Sequence, residues 1–434
     1  MHGFLMIEKS RPWEFYSTTQ RRLLLVVLFL VSTSNYFDYF VISVLLEPIK
    51  QEFGASDAAL GLLGGLCFAV LYAVTALPIA RWADRGNRRS VITVTLACWS
   101  LMTAVCGVAQ SFYQLAFARF LVGAVEPGAL PPAQSLITDY FPPERRASAI
   151  ALMTQGGSAT GWLVGIGLGG YLAAAYGWRM TFVLAGLPGL VLACLAWCVL
   201  EEPRTRLGFP SKSRRIGETR DAMRSLAKRP SYLLLVAGIC TYGIFSYGLT
   251  TFLPSFMVRS LHVSMAQVGL PWGIAIAFAN LGGALVGGRL ADQLGMQDSR
   301  WYAWIPSLGC ALAAPFYVLT VTTKHIQLFM AFDFAAEFII STGMAPVFAA
   351  VQFVSDDKHR TLSVASALLL FSLAGSGIGP PVVGYLSDSL IPVRGSESLR
   401  GALLAVIVFL APAAVFLFRA GKKLPRDAAG WLTA

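Results

Sequence analysis

Ile79-Ala-Arg-Trp-Ala-Asp84-Arg-Gly-Asn-Arg-Arg89 closes one long apolar run, and Gly287-Gly-Arg-Leu-Ala-Asp292-Gln-Leu-Gly295 closes another; the two aspartates lie 208 residues apart. A polar loop used twice at such a distance marks an internal repeat. Further pairs follow at an offset of 214: Pro132 with Pro346, Arg146 with Arg360, and Gly170-Tyr-Leu172 with Gly384-Tyr-Leu386. The chain is therefore read as two copies of one unit.

Working outward from these loops, each copy holds six apolar runs. They span about 23–46, 58–81, 90–110, 112–138, 147–174 and 179–200, then 231–258, 266–290, 301–322, 326–353, 361–387 and 399–418. About 20 apolar residues make one helical crossing of a bilayer. Backbone polar groups in hydrocarbon must be satisfied within the segment, which helices do and short alternating barrel strands would show differently. The chain is 56% hydrophobic and 13% charged, against about 25% charged in soluble domains. The predicted fold is an all-α membrane protein of twelve transmembrane helices in two pseudo-symmetric six-helix bundles. Its parts are a cytoplasmic segment 1–22, a bundle 23–200, a basic linker 201–230, a second bundle 231–418 and a cytoplasmic tail 419–434. The first apolar run exceeds a signal core and reads as a retained span.

The formal net charge is +11. Nucleic acid is one reading of that balance, but the cations sit in short loops, so topology explains them. With the N-terminus in the cytoplasm, 27 of the 34 Lys and Arg fall on the cytoplasmic side. Six fall opposite (Lys50, Arg179, Arg259, Lys324, Arg394, Arg400), and Arg119 lies within a span. Both termini are thus predicted to be cytoplasmic. The linker carries nine cations, Arg214, Arg215, Arg220, Arg224, Lys228 and Arg229 among them, and reads as a solvated tether or a helix lying on anionic lipid.

Ionisable groups in hydrocarbon are costly and mark function. Here they are Asp38, Arg119 and Glu126 in the first half, and Asp333 and Glu337 in the second. Asp38 and Arg119 each lie about 11 Å below the outer boundary at 1.5 Å per residue, so they can pair. Glu126, two turns beyond Arg119, sits near the midplane. A carboxylate there favours its protonated form, and a nearby guanidinium opposes that. Glu126 is the expected proton carrier, with Asp38 and Arg119 as partners; a static ion pair is the alternative. Asp333 and Glu337 share a helix face, and with Tyr36, Tyr242, Phe245, Tyr247 and Trp272 they are candidates to line a substrate cavity. Asp333 corresponds to Arg119 under the 214 offset, which also allows a gate between the two. Asp84, Arg85, Arg88, Arg89 and Asp292 are expected to form a cytoplasmic gate or conformational switch.

Other chemistry is absent from the sequence. The seven Cys lie in apolar runs with no C-x-x-C pair, and the four His are scattered, so no metal site or cofactor is expected. No G-x-S-x-G elbow or phosphate loop appears, and no catalytic residues are assigned. Glycines gather at 156, 157, 161, 165, 167, 169 and 170, and at 375, 377 and 379 before Pro380-Pro381, where helices approach closely or slide.

The loop Ala80–Arg89 and its repeat resemble the signature loop of the major facilitator superfamily. Within it the chain is similar to the Spinster group, through Asn35-Tyr-Phe-Asp38, Leu60-Gly-Leu-Leu-Gly-Gly65, Arg119-Phe-Leu-Val-Gly-Ala-Val-Glu126, Asp139-Tyr-Phe-Pro-Pro-Glu-Arg-Arg146, Arg300-Trp-Tyr302 and Ser366-Ala-Leu-Leu-Leu-Phe371. The chain departs from the group at Tyr39, where an Arg is usual, and at Pro127, which follows Glu126. The resemblance implies proton-linked movement of amphipathic lipids such as lysophospholipids or sphingosine phosphate, by alternating access, with Asp38, Arg119 and Glu126 at the coupling positions. It implies membrane lipids, protons and a small amphipathic or anionic substrate as partners, a monomer, no nucleic acid, and a bacterial inner membrane. Relatives carrying organic anions, and a non-transporting sensor, are the alternatives.

Overall fold

An apolar run in lipid must satisfy its own backbone, and in the computed structural model every regular element is helical among the residues it describes, 12–207, 223–355 and 360–429. The predicted segments 1–11 and 430–434, and 208–222 of the linker with Arg214, Arg215 and Arg220, lie outside the described residues. Among the described residues, nine stretches are long and apolar enough to cross a membrane. Two of them, Pro143–Thr205 and Leu362–Asp427, run to 63 and 66 residues and each accommodates two crossings. The fourth span adds one more that its break hides: Phe112–Val125 and Leu130–Tyr140 are each short. Twelve crossings result.

The turns follow from local chemistry. The first span, Thr18–Phe53, outruns its predicted end at 46 and stops where Gly54 takes φ +61. That left-handed geometry suits a residue without a Cβ. Ser56 then caps the second span by accepting from Ala59 N–H. At the same place in the second copy, 208 residues on, His262 takes φ 54 and Ser264 caps the eighth span through Ala266 N–H. The repeat thus reaches the turn geometry, although His replaces Gly.

Two spans predicted as continuous are broken. In the fourth, a 3-10 turn Glu126–Gly128 separates the two helices. Pro127 has no N–H for the carbonyl four residues back, and neither does Pro131 or Pro132. In the tenth, Ile326–Ser341 gives way to Met344–Phe353 at Gly343, and Pro346 plays the same part. The paired prolines found in sequence therefore mark the same break in each copy.

The chain forms two compact units: Met1–Leu45 with Val70–Ser213, and Leu46–Ala69 with Arg214–Ala434. In the first unit the fifth span lays four glycines along the first. A Cβ at Gly157 would meet Ser32, at Gly161 Tyr36 and the Thr33 carbonyl, at Gly165 Phe40, and at Gly169 Val41. The four-residue spacing is one helix face, and it brings the two backbones together. The same span contains π-helical turns at Leu152–Gly156 and Val164–Leu168. In the second unit, Cβ atoms at Gly61 and Gly65 would strike the Pro380 and Ser376 carbonyls of the eleventh span, and one at Gly384 the Asp57 carbonyl. The first part of the second span is thus docked on the eleventh, beside a third π turn at Leu62–Leu66.

Candidate functional site

The first unit brings together the three residues predicted for coupling. Asp38 is presented by the first span and Arg119 by the fourth, and Arg119 Nη1 lies 3.2 Å from Asp38 Oδ2. Thr103 Oγ1, from the third span, donates to Asp38 Oδ1 at 2.7 Å. Glu126 stands at the start of the proline break. Its Oε1 accepts from Asn35 Nδ2 at 2.6 Å, while Oε2 is buried with no hydrogen-bond partner. Asp38, Arg119 and Glu126 are 3%, 1% and 4% exposed, so the charges are out of solvent. Asn35 and Asp38 are one turn apart on the same face, which aligns one carboxamide and one carboxylate with two positions of the fourth span. Asn35 and Thr103 were not singled out in the sequence. Asn35 opens the quoted Asn-Tyr-Phe-Asp stretch, so its signal was at hand, whereas nothing local distinguishes Thr103.

The two carboxylates of this site are compensated differently. An ionised Glu126 has one oxygen without a donor in a low-dielectric surround, which is costly. A proton on that oxygen removes the charge. The neighbouring ion pair joins Arg119 to Asp38. Removing one partner of a buried pair costs about 3–5 kcal/mol.

The predicted switch residues of the first unit differ in their surroundings. Arg88 turns inward and is 1% exposed. Its backbone N–H donates to Glu202 Oε2 at 2.7 Å, Nε to the same oxygen at 3.0 Å, Nη1 to Ser135 Oγ at 2.9 Å and Nη2 to Asp139 Oδ2 at 2.6 Å. This ties the third, fourth and sixth spans. Burial pushes the Glu202 carboxyl up, but the Arg88 hydrogen bonds and charge outweigh it and hold it below its usual range. Arg89 lies over the Trp197 ring, 4.3 Å from its centroid. Asp84 and Arg85 are exposed, and Arg204 Nη1 donates to the Asp84 backbone carbonyl at 2.8 Å. In the second copy Asp292 is exposed too, and Gly287, not the matching Gly288, makes the close approach, with its Cβ position against the Thr342 backbone. Asp139 and Glu202 are the residues missed here. Glu202 was legible as one of two acids opening a basic linker.

The cavity candidates divide. Tyr36 is half-buried and stacks on Phe40 with centroids 6.4 Å apart. Tyr242 and Tyr247 both pack on Phe371, at 6.1 and 5.5 Å. Phe245 and Trp272 are fully buried: Phe245 meets Tyr317 edge-on at 4.9 Å, and Trp272 Nε1 donates to Asp333 Oδ2 at 2.7 Å. Glu337 Oε1 accepts from Tyr317 Oη at 2.9 Å. Arg119 and Asp333 are each engaged within their own unit.

A second charged assembly was not predicted. Asp57, 1% exposed, receives Arg259 through both terminal nitrogens at 2.8 and 2.9 Å, Lys50 Nζ at 2.6 Å and Ser387 Oγ at 2.6 Å. Arg259 Nε also donates to Glu47 Oε2 at 2.6 Å. Asp388 caps the second span, accepting from Asp57 and Ala58 N–H at 2.9 and 2.8 Å. The cluster fastens the connection after the first span to the ends of the seventh and eleventh. Its signal in sequence was the presence of Lys50 and Arg259 on the side where cations are few.

The comparisons agree with this architecture. The sequence pattern of the Major Facilitator Superfamily matches residues 28–368. The chain is 37% identical over 385 residues to an MFS-type efflux pump of Mycolicibacterium smegmatis, covering 88% of each. It is 24% identical to protein spinster homolog 1 of Xenopus laevis, covering 85% of this chain and 73% of that one. Among solved structures, it superposes with a TM-score of 0.86 and 29% identity on a bacterial homolog to the human lysosomal transporter Spinster, in its inward-facing and unoccupied conformation, covering 95% and 99% of the two chains. With twelve crossings in two sequence repeats, a buried Asp–Arg–Glu constellation and these matches, the chain belongs to the major facilitator superfamily of membrane transporters and resembles its Spinster members.

Proposed function

We propose that this transporter couples proton movement to the passage of an amphipathic lipid, of the lysophospholipid or sphingosine-phosphate kind, by alternating access. The observation that carries the proton part is Glu126: buried, donor-matched on one oxygen only, and seated at a helix break beside a complete Asp38–Arg119 pair. In one access state Glu126 takes a proton from water and loses its charge, and Asn35 keeps its other oxygen in place. In the other it returns the proton. The 3-10 turn at Glu126–Gly128 lets the fourth span move at that residue without breaking a continuous ladder. Asp84 to Arg89 and Asp292 act at the cytoplasmic ends of the spans, where the Arg88–Glu202–Asp139 bonds keep the first unit rigid. On this reading the chain is a monomer of a bacterial inner membrane with both termini cytoplasmic, and its cation distribution supports the orientation.

The lipid part is supported by the likeness to Spinster homologues and by Tyr36, Tyr242 and Tyr247, half-buried aromatics suited to an acyl chain. Arg119 is buried in the fourth span and pairs with Asp38, and Arg88 is buried against Glu202 and Asp139, so neither is well placed to bind a sugar acid, and organic anions are the second reading. Movement of a fluorescent lysophospholipid in proteoliposomes under an imposed pH gradient tests the cargo. Gradient-dependent flux, competed by unlabelled lysophospholipid and not by hexuronate, is the expected result. Competition by hexuronate alone reverses the assignment.

A further inference from the structure

We propose that Asp333 and Glu337 form a second proton-carrying site, built into the second unit and independent of Glu126. The proposal rests on the proton-coupled reading of this transporter. Both side chains project from the tenth span, four residues apart on one helix face. Neither forms an ion pair with a Lys, Arg or His among the described residues. The elements packed against this helix are the eighth and ninth spans. They present Trp272 and Asn280 from the eighth and Tyr317 from the ninth, and Tyr242 of the seventh also faces Glu337. These are neutral donors, and only the two phenols can titrate.

The contrast with the first unit is chemical. There two carboxylates share a site with Arg119. Here the position that corresponds to Arg119 under the repeat is itself an acid. Two ionised carboxylates one turn apart in hydrocarbon, with no cation, would be far more costly than a site that holds a proton. A separate observation points to the missing partner. Asp333 is 1% exposed, its Oδ2 is taken by Trp272, and its Oδ1 is buried with no hydrogen bond. That oxygen is where the proton belongs. Protonation adds H+ from water to one carboxylate and release returns it to water, with no other reactant.

The test is infrared difference spectroscopy of the full chain in lipid nanodiscs, titrated from about pH 5 to about pH 9, a window wide enough for buried carboxyls. Wild type is expected to show two separable protonated-carboxyl bands. Asp333→Asn with Glu337→Gln should remove one of them and leave the band that Glu126→Gln removes. Trp272→Phe, which keeps both acids and the ring bulk, should move the Asp333 band to higher frequency, because its carbonyl loses a donor. A double variant with the full wild-type carboxyl signal, or an unshifted band in Trp272→Phe, overturns the proposal. If instead Glu126→Gln changes nothing while the double variant loses its band, the second site stands and the assignment of Glu126 fails.

Discussion

Asp57→Asn removes one charge from the assembly that holds the second span on the eleventh, and the size of the effect can be worked from its bonds. Asp57 accepts two guanidinium hydrogen bonds from Arg259, one from the Lys50 ammonium and one from Ser387. Charge-assisted bonds contribute about 1.5–3 kcal/mol each but are not additive. Breaking a buried pair by neutralising one partner costs about 3–5 kcal/mol, and Lys50, 28% exposed, adds little because solvent screens it. About 3 kcal/mol is a fair net figure, or roughly a hundredfold in the equilibrium between docked and undocked arrangements. Ser376 of the eleventh span lies in this contact, its carbonyl against Gly65, and is 1% exposed. A Ser376→Cys reporter, with the seven native cysteines replaced, reads the undocked fraction through its maleimide labelling rate. Adding Asp57→Asn should raise that rate by roughly a hundredfold. Equal rates in folded protein with and without Asp57→Asn would refute the idea that this cluster holds the contact.

Other outcomes follow from the same geometry. Glu202→Gln should lower the unfolding temperature at neutral pH, at a cost of about 3–5 kcal/mol to the buried Arg88 pair, as read by thermal unfolding in detergent. Because the Glu202 carboxyl is held below its usual range, its contribution is fully present above the unfolded-state value and fades as pH falls through the folded one; the variant should therefore lose part of the wild type's stability decline in acid. Gly161→Leu drives a side chain into Tyr36 and the Thr33 carbonyl and should destabilise by about 1–3 kcal/mol, measured by the same unfolding assay. Pro127→Ala restores one of the N–H groups missing at the break, the one that can reach the Gly123 carbonyl, so the turn at Glu126 should stiffen while Pro131 and Pro132 keep the break, and gradient-driven transport should fall while the protein stays folded.

Much of this was legible in the chain because membrane spans advertise themselves by length and composition. The repeat of Asp84 and Asp292 showed two copies of one sequence unit, and the rarity of charge in apolar runs pointed to Asp38, Arg119 and Glu126, which meet in one place. Proline was legible as a residue but not as geometry: the breaks at Glu126–Gly128 and Gly343 depend on several missing N–H groups acting together. The polar partners were harder. Asn35, Thr103 and Ser387 carry no charge, and their roles exist only once helices distant in sequence are brought together. Arg88, which turns inward on Glu202 and Asp139, could not be told from Arg85 and Arg89, which do not, because loop arginines look alike until the helix ends are placed. Asp57 and Arg259 were hidden for a related reason. Each sits at a span boundary, where a charge is ordinary, and only their pairing across 202 residues gives them a role.

The central claim is that Glu126 carries the proton. Its most direct test compares wild type with Glu126→Gln in proteoliposomes, using lysophospholipid flux with and without a pH gradient. The variant is expected to lose gradient-driven accumulation while still exchanging lipid across the membrane when no gradient is imposed, since the amide keeps the Asn35 bond but holds no titratable proton. Full gradient-driven accumulation by Glu126→Gln would contradict it.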